Sequence, residues 1–218
     1  MISIIVPIFN EEKAVNKISS KLKRIKFKKQ LIFINDGSTD RTLEKLKKIK
    51  KIKLINNKKN IGYGASIKKG IKKAKYDLCL TIDADDTYPI NKIKSFIDYS
   101  TNKNNLIIGN RLFVESKFTT LVLRKLLKVL IYLITLNYNK DPNSGMRLFS
   151  KKFISKYLHL CSDGFSFSTS TSLIYGIKKE KIDFINIIYK KRIGTTKVKI
   201  FRDMIRTLKQ IFIIVIKI

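Results

Sequence analysis

Four short apolar runs, Ile2 to Ile8, Leu31 to Ile34, Ile52 to Ile55 and Leu78 to Ile82, alternate with stretches whose apolar residues recur at helical spacing. Ala14, Ile18, Leu22 and Ile25 mark the first helix, Leu43, Leu46 and Ile49 the second, and Ile67 and Ile71 the third. Unbroken apolar runs suit strands covered on both faces. This βαβαβαβ series predicts an α/β fold, a mainly parallel central sheet with right-handed crossovers and flanking helices. Ligands of such sheets bind beyond the carboxyl ends of the strands. Phe9-Asn10-Glu11, Asn35-Asp36, Asn60-Ile61-Gly62 and Asp83-Ala84-Asp85 all fall on that rim, with Asn10 expected to cap the first helix.

The rim carries a concentration of a scarce charge. Asp83, Asp85 and Asp86 follow the fourth run in a chain with 47 Lys+Arg against 16 Asp+Glu. Residues i and i+2 of an extended strand point the same way, so Asp83 and Asp85 aim at one point, a plausible seat for a divalent cation. A solvated acidic turn is the alternative on these residues alone. Asp86 points to the other side and is expected to serve the turn. A dinucleotide or P-loop site is disfavoured: PIFNEE after the first run lacks glycines, and GYGASIKKG fits neither glycine-rich pattern.

In the second half, a helix with Ile93, Phe96 and Ile97 precedes a strand at Leu106 to Ile108, and Ile182 to Ile188 is expected to form the last strand. Residues 119–138 read as an amphipathic helix on which Arg124, Lys125 and Lys128 share roughly 100° of arc. Two readings stay open: a helix lying in a membrane interface with its cations toward lipid phosphates, or a core helix with one wet edge. The turn Asp141-Pro142-Asn143-Ser144-Gly145-Met146-Arg147 leads into Leu148-Phe149, with a helix expected from Lys151. It sets a hydroxyl and a guanidinium three residues apart, a pairing able to hold phosphate. The formal charge of +31 points to an anionic partner, a membrane surface or phosphates. With the lysines spread over nearly every helix and no nucleic-acid motif beside them, nucleic acid is not expected. Cys79 and Cys161 have no metal-ligand spacing, and His159 reads as structural.

VPIFNEE at 6–12, NDGSTD at 35–40, NIGYGAS at 60–66, DADDTYP at 83–89, DPNSGMRLFS at 141–150 and KRIGTTK at 191–197 together resemble the family 2 inverting glycosyltransferases of GT-A fold. Within that family the chain is most similar to the polyprenyl-phosphate sugar transferases, relatives of dolichyl-phosphate mannose synthase. The resemblance covers about residues 2–200. It implies one GT-A domain over 1–200, with a nucleotide-sugar-binding half at 1–110 and an acceptor half at 111–200, followed by an amphipathic tail at 201–218. Pro7, Asn10 and Glu11 would line the nucleoside pocket, Asp36 would contact the base or ribose, and the Gly62 loop would pack beside the nucleotide. Asp83 and Asp85 would hold Mg²⁺ or Mn²⁺ against the donor diphosphate, a hard cation among hard oxygens. Arg192 and Lys197 would close over that diphosphate. Thr87 stands where some relatives carry a glutamine near the metal. Arg111, Ser144 and Arg147 match positions that hold an acceptor phosphate.

The implied reaction transfers a sugar from a UDP- or GDP-sugar donor to a polyprenyl phosphate. A phosphate oxygen is already anionic at neutral pH, whereas a hydroxyl needs a base, and FSFSTSTS at 165–172 offers no carboxylate where hydroxyl-glycosylating relatives place one. The alternative keeps the fold but glycosylates a saccharide hydroxyl with Asp141 or Asp163 as base. With no secretory signal apparent and a tail too short to span a bilayer, the expected location is the cytoplasmic face of the membrane, held peripherally.

Overall fold

The apolar runs become adjacent strands in the computed structural model, which describes residues 1–100, 104–112, 118–190 and 200–218. The chain runs β1 (Ile2–Ile8), α1 (Val15–Lys23), β2 (Lys29–Asp36), α2 (Thr42–Lys47), β3 (Lys53–Asn57), α3 (Tyr63–Lys73), β4 (Leu78–Thr81) and α4 (Ile93–Asp98). It continues through β5 (Leu106–Leu112), α5 (Phe118–Thr135), β6 (Arg147–Ser150), α6 (Lys151–Ser155), α7 (Phe167–Ile177), β7 (Ile182–Ile188) and α8 (Ile200–Lys217). One sheet takes the order β3-β2-β1-β4-β6-β5-β7. Its β1, β2, β3 and β4 are parallel neighbours, as are β5 and β7.

Strand β6 is the departure from the expected pattern: residues 147–150, read only as the sequel of a turn, form a four-residue strand antiparallel to both β4 and β5. Its register pairs Arg147 with Thr81, the last residue of β4, so the turn before β6 is carried to the carboxyl edge of the sheet. The turn before β6 thereby meets the acidic loop.

Alternation along β1 divides the core between the two faces. Ile5 packs with Ile67 and Ile71 of α3, Phe153 of α6, Leu173 and Ile174 of α7, and Ile214 of α8. Ile4 and Val6 pack with Val15, Ile18 and Leu22 of α1, Leu46 of α2 and Phe96 of α4. Asn10 does not cap α1: the cap position is Ala14, which makes no side-chain hydrogen bond, and Asn10 lies four residues upstream at φ 53°. Helix α5 buries Leu127, Ile131 and Thr135 and exposes Leu126, Val129 and Leu133. Its outer face is therefore largely apolar, and α8 likewise turns Phe212 and Ile216 to solvent. No helix among the described residues is long and apolar enough to cross a membrane.

Candidate active site

The loops after β1 and β2 are laced together. The Asn10 N–H donates to Ser38 Oγ (3.0 Å), its amide to Thr39 Oγ1 (3.2 Å), and its Oδ1 accepts from the Thr39 N–H (2.8 Å). The Glu11 N–H donates to Thr42 Oγ1 (2.9 Å). Asn10 thus holds the rim's shape, while Pro7 and Glu11 on either side of it line the cavity. Asp36 also lines it, but its carboxylate serves the next loop. Its Oδ1 accepts from the Ile61 N–H (2.9 Å) and Asn57 Nδ2 (3.0 Å), and its Oδ2 from the Gly62 N–H (3.0 Å). Gly62 sits at φ 108°, a conformation costly for a residue with a Cβ, and starts α3 beside the cavity.

Beyond β4 the acidic loop spends its three carboxylates differently. Asp83 accepts from the Tyr63 hydroxyl (2.8 Å). Asp85, only 3% exposed, accepts from the Thr87 hydroxyl (2.6 Å) and N–H (3.2 Å), so Thr87 orients it. Asp86 turns away at φ 60° and pairs with Lys17 (2.9 Å) and Lys21 of α1. Burial works to raise the Asp86 pKa, but hydrogen bonds and charge from the two lysines outweigh it and hold the carboxyl below its ordinary range. A carboxyl depressed by folding stabilises above its unfolded pKa, about 3.9, and loses that contribution as pH falls through the folded value. Asp86→Asn is therefore expected to cost about 1–3 kcal/mol at pH 7, with the gap from wild type narrowing below about pH 4. Urea unfolding at a series of pH values measures it.

The cavity, about 1220 Å³, runs from this loop to a cationic end between α5 and α8. Its lining includes Asp83, Asp85 and Tyr63 together with Arg111, Arg124, Arg202, Arg206 and Lys209, and Asp203 beside Arg206. Arg111 is clamped by Asp141, with Nε to Oδ2 at 2.7 Å and Nη2 to Oδ1 at 2.8 Å, and lies over the Tyr189 ring. Burial would raise the Asp141 carboxyl, yet Arg111 holds it below its ordinary value, making it a poor base. Arg124, on the helix left open between an interfacial and a core reading, lines the cavity. Ser144 and Arg147 do not line it: both are fully buried, and Arg147 spends its N–H groups on the turn and on α7. Arg192 and Lys197 lie outside the described residues.

Asp83 and Asp85 fit a hard divalent cation bound jointly with a diphosphate, since such ions take one or two carboxylates and complete their shell with phosphate and water oxygens. The described residues hold no group of three or more His, Cys, Asp or Glu suited to caging a metal alone. Tyr63 and Thr87 are the site residues whose hydrogen-bonding roles sequence did not give, and Arg124 is one it placed only on a cationic helix arc. Tyr63 stands inside a quoted motif, but only the packing of α3 on β1 and β2, which sets its first residue beside the loop after β4, reveals its partner.

Comparison with known proteins bears on the family and the fold. The family model described as "Glycosyl transferase family 2" matches residues 3–160. A dolichyl-phosphate beta-glucosyltransferase of Trichomonas vaginalis is 31% identical over 176 residues, 69% of this chain and 53% of that protein. A UDP-N-acetylglucosamine–dolichyl-phosphate N-acetylglucosaminyltransferase of Methanococcus voltae is 28% identical, covering 69% of this chain and 70% of that protein. The chain spans between 52% and 61% of the length of several curated relatives it matches. Glucosyl-3-phosphoglycerate synthase of Mycobacterium tuberculosis, solved with Mn²⁺, UDP-glucose and phosphoglyceric acid, shares the fold at a TM-score of 0.78 and 13% identity, over 99% of this chain and 79% of that one. With its GT-A fold and most of its length inside the family match, the chain belongs to glycosyl transferase family 2.

Proposed function

We propose that the protein transfers a sugar, with inversion, from a nucleoside-diphosphate donor to a polyprenyl phosphate at a membrane surface. The observation that carries this reading is the single cavity joining the Asp83/Asp85 loop to the Arg111 and Arg124 guanidinium groups. The names of the Trichomonas and Methanococcus relatives support the same acceptor class. Pro7, Glu11 and the loop held by Asp36 would bind the nucleoside. Asp83 and Asp85 would hold Mg²⁺ or Mn²⁺, which supplies positive charge for the departing diphosphate. Arg111 and Arg124 would fix the acceptor phosphate, which already carries its nucleophilic charge. One phosphate oxygen forms a bond to the anomeric carbon as the bond to the donor diphosphate breaks, and the electron pair leaves with the nucleoside diphosphate. No proton has to move, consistent with Asp141 being committed to Arg111. Arg192 and Lys197 would add charge over the diphosphate.

The outer apolar faces of α5 and α8, at the cationic end of the cavity, suit lipid contact. Arg124→Ala should raise the KM for polyprenyl phosphate about tenfold or more while leaving donor binding unchanged, because a charge-assisted contact to phosphate is worth about 1.5–3 kcal/mol. Radiolabelled UDP- and GDP-sugars, each offered with Mg²⁺ and either polyprenyl phosphate or a saccharide, test the reading itself. Label should enter the lipid phase; transfer to the saccharide alone would sink the proposal.

A further inference from the structure

Asp83 is held between groups from the two halves of the chain. From one side Tyr63, the first residue of α3, donates its hydroxyl to Asp83 Oδ1 at 2.8 Å, and its ring stacks on Phe165 with centroids 5.7 Å apart. From the other side comes Gly145, in the turn that β6 carries to the sheet edge. A Cβ at Gly145 would stand 2.8 Å from both Asp83 carboxylate oxygens and 3.0 Å from Cγ. The glycine cannot drift away to make room. Its N–H donates to the buried Tyr88 hydroxyl (2.8 Å), and its carbonyl accepts from Thr81 Oγ1 (2.7 Å). Among the described residues only Gly37 and Gly62 are glycines with positive φ, so position 145 demands space rather than an unusual backbone.

We propose that Tyr63 and Gly145 are positioning residues for Asp83: the hydroxyl fixes the rotation of its carboxylate, and the bare Cα leaves the carboxylate its place. The terminal torsion of an aspartate is soft, so an unsupported carboxylate samples many orientations. Partners of metal-binding carboxylates typically change metal affinity by about 10–100-fold when removed. The acceptor half therefore shapes the donor-side carboxylate through one glycine, coupling the two ends of the cavity.

This inference rests on the reading of Asp83 as a metal-binding carboxylate, and its test separates the two. Mn²⁺ uptake by the full chain would be titrated by electron paramagnetic resonance, with uridine diphosphate and separately with guanosine diphosphate, alongside thermal unfolding. Tyr63→Phe is expected to raise the Mn²⁺ concentration for half-saturation about tenfold, with the unfolding midpoint lowered by only a few degrees. Gly145→Ala should weaken uptake at least as much. A lowered midpoint with wild-type Mn²⁺ affinity in Tyr63→Phe would mark a structural tyrosine and overturn the proposal, even if Gly145→Ala fails to fold. If the wild type takes up no Mn²⁺ with either nucleotide, both the metal reading and this inference fall; normal wild-type uptake with an unchanged Tyr63→Phe removes the inference alone.

Discussion

Asp85→Ala is expected to lower sugar transfer by on the order of 10³-fold while the protein still folds. The loss follows from electrostatics: a diphosphate leaving group develops charge that the site must stabilise, and removing one preorganised partner of such charge costs about 10²–10³-fold, more when it also releases a cation. Asp85 reaches this position through local geometry, with its Oδ1 held by the hydroxyl and N–H of Thr87 inside the same loop. The alanine variant strands those two donors, at a cost of about 1–3 kcal/mol. Asp85→Asn is therefore the sharper companion, since its carbonyl oxygen can still accept from Thr87 while the negative charge is gone. Both variants should lose transfer, and only alanine should show a clearly lowered unfolding midpoint. Initial rates over a Mn²⁺ series, beside thermal melts, measure both effects. Retained transfer in Asp85→Asn would assign the metal-binding role elsewhere.

The contrast with Asp86 shows how far the residues themselves could be read. The period-two geometry of an extended chain separates Asp83 and Asp85 from Asp86, and the structure gives Asp86 to the α1 lysines. The parallel half was equally readable, because each of its strands is an apolar run closed by polar turn residues. Strand β6 was not: with only four residues, RLFS shows too little alternation to stand out, and its place between β4 and β5 is fixed by long-range pairing. Two polar residues of the rim also serve the loops around them. Asn10 and Asp36 were expected to face the nucleoside. Yet Asn10 is taken up by the loop after β2, and Asp36 saturates backbone N–H groups around Gly62 while keeping one edge on the cavity. The helical period of α5 grouped Arg124, Lys125 and Lys128 on one arc, but the structure splits that arc, with Lys125 exposed and Arg124 lining the cavity. Which face turned inward depended on α7 and α8, and that brought Arg124 to the cavity.

Arg147 gives the largest expected change in stability. Its side chain is fully buried, with Nε donating to the Ser144 carbonyl (2.9 Å) and Nη2 to the carbonyls of Ser144 (2.7 Å) and Pro142 (3.0 Å). Nη1 donates to the Ser168 carbonyl (2.6 Å) and the Thr171 hydroxyl (2.6 Å) of α7. Burial pulls the guanidinium down to about 10, which still leaves it charged at neutral pH. This cation ties the turn that holds Gly145 to the hydroxyl-rich α7. Arg147→Met fills much of the volume but takes the guanidinium donors from the buried carbonyls of Pro142 and Ser144, while that of Ser168 keeps the Thr171 hydroxyl, so a loss of about 3–5 kcal/mol is expected, near 10 °C in unfolding midpoint for a chain of this size. Arg147→Lys keeps the charge but not the planar fork, and should fall between methionine and wild type. An acceptor-phosphate role predicts the opposite pattern: an unchanged midpoint and a raised KM for the lipid. Urea unfolding and lipid-dependent initial rates on Arg147→Lys decide between them, since a variant with wild-type stability and weakened lipid affinity would move Arg147 from the scaffold back to the acceptor site.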